Sequence, residues 1–105
     1  MDANLSADGG SAITDTRDMA VTRHDFFRIL PRAVGDNPYT THADGATITV
    51  GNGSVNISLG PQQIRKIALM EVHWCRVEFT AQGLSAAEFK EFSEFFHRRY
   101  QRGGG

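Results

Sequence analysis

His73 and Cys75 are the residues whose types and spacing come nearest to a chemical site. Two apart on a strand, they share a face, and an imidazole beside a thiolate suits zinc or copper. A structural zinc takes four ligands. The chain offers one cysteine and four scattered histidines, His24, His42, His73 and His97, without the familiar motif spacings. As a nucleophile and base the pair fares worse. Side chains two apart on a strand stand parallel and too far apart to hydrogen-bond, and no third group orients them. His73 and Cys75 therefore stand as weak metal candidates, and a half-buried cysteine beside a turn histidine is the expected arrangement. No GxSxG, HExxH, P-loop or GxGxxG pattern occurs, and the carboxylates are scattered. No catalytic residue is nominated, and no cofactor is expected.

The second constellation closes the chain: Phe95, Arg98, Arg99, Tyr100 and Arg102. Arginine and tyrosine are favoured in interfaces, so these five are the candidate partner-binding residues. By helical phase Arg99 falls near the Phe92–Phe96 stripe instead of the polar side. The helix then overhangs the sheet at that point, or Arg99 pairs with a buried acceptor, or it faces a partner. A solvated, dipole-matched helix end is the plain alternative. Arg28 and Arg32 of an earlier helix would extend the basic surface if the two helices lie side by side. Trp74 is a further candidate for an exposed aromatic.

These residues need elements to position them. Ser85 and Glu88 read as a capping box, Leu84 and Phe89 as a staple, and Phe89, Phe92 and Phe96 as one buried stripe. The first helix starts at Thr22, with Asp25 as a shorter box partner and Val21 and Phe26 at the staple positions. Pro31 either kinks or ends it, and Gly35 is a natural terminator. Asp44-Gly45 and Asn52-Gly53 are favoured hairpin turns. They place Tyr39 opposite Val50, Thr41 opposite Ile48, Val50 opposite Val55 and Ile48 opposite Ile57. Ile48, Val50, Val55, Ile57 and Tyr39 then share one face. Thr40, Thr47, Thr49, Asn56 and Ser58 share the other. Two further strands, Ile64 to Val72 and Trp74 to Ala81, flank a turn near Val72-His73. The run Ile67-Ala68-Leu69-Met70 is apolar on both faces and leaves the register of 64–72 open. A strand covered on both sides would explain it, and so would a self-association surface.

The expected fold is α+β in two layers. A five-stranded antiparallel meander is flanked in sequence by an N-terminal and a C-terminal helix, both packed on one face. The order helix–meander–helix resembles the frataxin plan. That likeness is one of topology and implies no function. Frataxins carry an acidic ridge on the first helix, where this chain shows Arg23, Arg28 and Arg32, so no iron-handling residue is carried over.

Composition bounds the rest. The 105 residues suit one domain, and 40% hydrophobic with 22% charged residues is ordinary for a globular chain. Residues 1–20 hold four aspartates against Arg17 alone and show no apolar period. They read as a disordered acidic tail ahead of a single domain over 21–105. A net charge of −1 does not favour nucleic acid. Apolar runs too short for a bilayer and the lack of a basic–apolar leader argue against a membrane partner. One cysteine suits a reducing cytoplasm. The expected function is a small non-enzymatic accessory or regulatory domain that binds a protein partner or forms a homo-oligomer. The alternatives are weak nucleic-acid binding through the basic helix faces, or a metal- or thiol-linked accessory role through His73 and Cys75.

Overall fold

Both helices begin as their caps dictate. In the computed structural model, which describes residues 12–103, the Thr22 hydroxyl accepts from the Asp25 amide at 3.0 Å and starts α1, Arg23–Ala33. Ser85 and Glu88 satisfy each other's amides at 3.1 and 2.7 Å and start α2, Ala86–Gly103. Pro31 does not end α1, which runs two residues further to a cap at Val34. Gly35 follows with φ +63°, a conformation glycine adopts without strain.

Among the described residues, six strands make the second layer. They are β1 (Ile13–Met19), β2 (Tyr39–His42), β3 (Gly45–Val50), β4 (Gly53–Leu59), β5 (Gln63–Ile67) and β6 (Met70–Gln82). All pairings are antiparallel, in the order β1-β6-β4-β3-β2, with β5 pairing β6 off that path. Ala46, Ile48, Val55, Ile57, Val77, Phe79 and Ala81 form the buried face. Phe26, Ile29 and Leu30 of α1 and Phe89, Phe92 and Phe96 of α2 cover it. The opposite face is polar, as in the Thr47–Asn56 hydrogen bond at 2.9 Å.

The α+β, two-layer reading holds, with corrections. Residues 13–19, taken as part of a disordered tail, form β1 on the edge of β6. Strict pairing with β6 orders them although they carry no apolar alternation of their own: only Ile13 and Met19 of the inward set are apolar, with Asp15 and Arg17 between them. The rest of that tail, 1–11, lies outside the described residues, as do 104 and 105. A strand thus precedes the first helix, a departure from the helix–meander–helix order.

Both hairpin turns lie one residue earlier than their dipeptides suggest. Ala43-Asp44 joins β2 to β3, and Gly51-Asn52 joins β3 to β4. Tyr39 faces Ile48, and Ile48 faces Val55, each shifted by two residues. Because side chains alternate with a period of two, the shift leaves every residue on its expected face. The cause is crowding. A Cβ on Gly45 would fall 1.8 Å from the Ile57 carbonyl oxygen, and one on Gly53 would fall 2.3 Å from that of Gln82. Both glycines serve close strand approach, and Gly51, at φ +56°, makes the turn.

The third turn is also displaced. Val72 and His73 lie inside β6, and the reversal is at Ala68-Leu69. No glycine or asparagine marks it; Ala68 itself takes φ +55°.

Candidate functional site

The helix-end residues do not act as a group. Tyr100 is buried, stacks on Phe26 at 5.3 Å between centroids, and donates its hydroxyl to the Phe26 carbonyl at 2.6 Å. Burial pushes its pKa upward. It is a brace between the helices, not a contact residue. Arg99 resolves its odd phase by lying over the Phe95 ring, 4.5 Å from the centroid, and Phe95 in turn lines a cavity together with Gly35. Arg98 is exposed, and the side chain of Arg102 lies outside the described residues. Arg28 pairs with Asp25 at 3.1 Å on α1's own surface.

His73 and Cys75 share a face but not an environment. His73 is exposed, whereas Cys75 is wholly buried and its thiol pKa is pushed up by desolvation, against a smaller lowering by Arg23. Among the described residues no group of three or more His, Cys, Asp or Glu is placed to hold a metal. His97 is the one histidine that is half-buried against the core, the other three being exposed. Its ring packs edge-on to Phe79 at 5.1 Å, and its Nε2 is buried without a hydrogen-bond partner. Desolvation, with Arg17 nearby, lowers its pKa to about 4, opposed weakly by Asp15. It borders a cavity of about 390 Å³ that also touches Arg17, Met19, Val21 and Tyr100.

The most exposed apolar groups of the described chain lie elsewhere. β5 and the first five residues of β6 form a hairpin arm beyond the helix-covered part of the sheet. Leu69 at its tip is 102% exposed, Met70 66%, Ile64 55% and Ile67 54%. Cross-strand partners share a face, so Ile67, Met70, Val72 and Trp74 line one side, with Arg65 5.4 Å over the Trp74 ring. Lys66 and Glu71 form an exposed pair at 4.0 Å on the other side, next to Ile64 and His73.

A polar knot fixes the arm's root. The Gln62 carboxamide accepts from the Arg23 amide at 2.8 Å and donates to the Val21 and Trp74 carbonyls at 3.3 and 2.9 Å. The Arg23 guanidinium reaches the Gly60 and Ala43 carbonyls at 3.2 and 3.0 Å and Asp44 at 2.6 Å. One helix start, one turn and the β4–β5 junction are tied at that point. Gly60-Pro61-Gln62 opposes only Arg76 and Cys75, so one extra residue sits there as a bulge. Neither Gln62 nor the bulge carried a recognisable signal. The tip did: Ile67-Ala68-Leu69-Met70 between Lys66 and Glu71 is apolar where a solvated turn is normally polar.

Among the described residues, no helix is long and apolar enough to cross a membrane. No family model matches this chain, and comparison with curated proteins and with solved structures finds no match either.

Proposed function

We propose that this chain is a small non-enzymatic interaction domain whose β5–β6 arm is its contact element for protein. One observation carries the reading: Ile67, Leu69 and Met70 stand in solvent together at the end of an arm that adds nothing to the core, with Ile64 exposed on its reverse side. Contiguous exposed apolar surface of this kind marks association surfaces. The tip is also poorly suited to being a mere turn, since Ala68 sits at positive φ beside a fully exposed leucine. A cytoplasmic setting belongs to the proposal, because it keeps the single cysteine reduced.

The helix end, with Tyr100 buried and Arg99 engaged on Phe95, supports this role less well than the arm. A comparison of two variants tests the reading. Leu69→Ser with Met70→Ser should abolish association with the chain's protein partner, and Arg98→Glu should leave it intact. The reverse pattern moves the site back to α2. Retention on mixed oligonucleotides at low salt, lost on Arg98→Glu, would favour nucleic acid instead.

A further inference from the structure

We infer that the arm's partner is a second copy of this chain, added edge to edge along the first five residues of β6. The inference rests on the arm being the contact element, and it names the occupant.

The arm has two open edges, and they differ in kind. β5 presents Arg65 and Lys66. Antiparallel pairing of β5 with its own copy about Arg65 sets arginine against arginine, the kind of charge that protects an edge strand. The edge of β6 is unprotected. β1 pairs with β6 only from Cys75 onward, so among the described residues Met70 to Trp74 have no strand neighbour on that side.

The register on that edge is unique. Met70, Val72 and Trp74 aim their backbone groups at β5, as the two-residue turn and the Gln62 bond to the Trp74 carbonyl require. Glu71 and His73 therefore aim theirs outward. An antiparallel copy must pair residues of this outward set. Centring on Glu71 opposes two carboxylates, and centring on His73 brings Glu71 onto Cys75, where Met19 already sits. Centring on Val72 meets neither obstacle. Glu71 then faces His73 of the second copy, and His73 faces its Glu71, with four backbone hydrogen bonds between them. The imidazole N–H donates to the carboxylate, and Lys66 flanks it from behind. On the other face Met70 lies against Trp74 of the second copy, a thioether–aromatic contact, and Val72 meets Val72 on the two-fold axis.

Each row is thus complementary to itself, which an isologous pair requires and a different partner does not. The ribbon becomes four-stranded, and each arm tip reaches Met19 and Ala20, where β1 stops.

Sedimentation equilibrium of the full chain across a concentration series tests this, with circular dichroism to verify folding. The expected result is a reversible dimer. Val72→Lys, which opposes two ammonium groups on the axis, should weaken it by about tenfold or more. Exchanging the pair, Glu71→His with His73→Glu, should restore what Glu71→Lys removes. Val72→Cys in a Cys75→Ala background should give a disulfide-linked dimer on oxidation, because residues facing across a non-hydrogen-bonded pair lie within disulfide range. A chain that stays monomeric throughout, or a dimer indifferent to Val72→Lys, overturns the inference. A monomer whose arm variants still lose a different protein overturns the second copy alone and leaves the arm as the contact element. A monomer that binds phosphatidylcholine–phosphatidylserine vesicles through Leu69 overturns both.

Discussion

Tyr100 shows how much one side chain can hold. Its ring stacks on Phe26 and its hydroxyl satisfies the same residue's carbonyl, so it joins the last turn of α2 to the first turn of α1. Tyr100→Phe keeps the stack and loses the hydrogen bond. The expected loss is about 1 kcal/mol of unfolding free energy, seen as a lower denaturant midpoint at unchanged slope. His97 makes a pH statement. Its folded pKa, lowered to about 4, lies below the ordinary 6.5. As pH falls through 6.5 the unfolded chain takes a proton that the folded imidazole refuses. This contribution to stability is therefore intact above about pH 6.5, declines between 6.5 and about 4, and levels off below. Urea unfolding at a series of pH values should show the decline, and His97→Gln should flatten it in that window.

At the scale of elements, Gly45 is the sharpest test. Its strand runs so close to β4 that a methyl group would strike the Ile57 backbone, which cannot swing aside as a side chain does. Gly45→Ala should destabilise the fold by more than about 2 kcal/mol, measured by thermal or denaturant unfolding. Ala at Gly51 meets open space and suffers only from its positive φ, so its effect should be the smaller. These glycines also explain what the sequence could and could not show. Capping residues act on their own backbone within one turn, so Thr22, Asp25, Ser85 and Glu88 announced both helix starts. The faces of β3 and β4 were legible because alternation survives a shift of two. The registers were not, because Gly45 and Gly53 answer to strands distant in sequence, and an Asp-Gly or Asn-Gly dipeptide carries no mark of that. β1 stayed hidden for the same reason: its order comes from β6. Of the five helix-end candidates, Tyr100 differs from its expectation because residue type alone suggests an interface, while only the packed α1 shows that this ring is covered.

For the whole molecule, the arm and the body meet at few points, and Gln62 is the chief of them. It links α1, the β4–β5 junction and β6 through three hydrogen bonds. Gln62→Ala should lower stability by about 1–2 kcal/mol, and its larger effect should be on order. Hydrogen exchange should quicken from Gln63 to Trp74 and stay unchanged in α2 and β4. Uniform quickening would mean that the knot supports the body as much as the arm.

The placement of β1 has a consequence for how the chain reaches this structure. Among the described residues its only strand partner is β6, the last strand of the chain's described part, and each of its seven ladder positions spans most of that part. Loops of that size close slowly, because the chain gives up its freedom before any contact rewards it. The β2–β3–β4 meander, built from short reversals, has no such handicap. β1 is thus the strand expected to join last and to leave first. In that interval the β6 edge from Cys75 to Ala81 stands unpaired, which is the moment when a neighbouring molecule's β1 can take the seat and leave two chains exchanged.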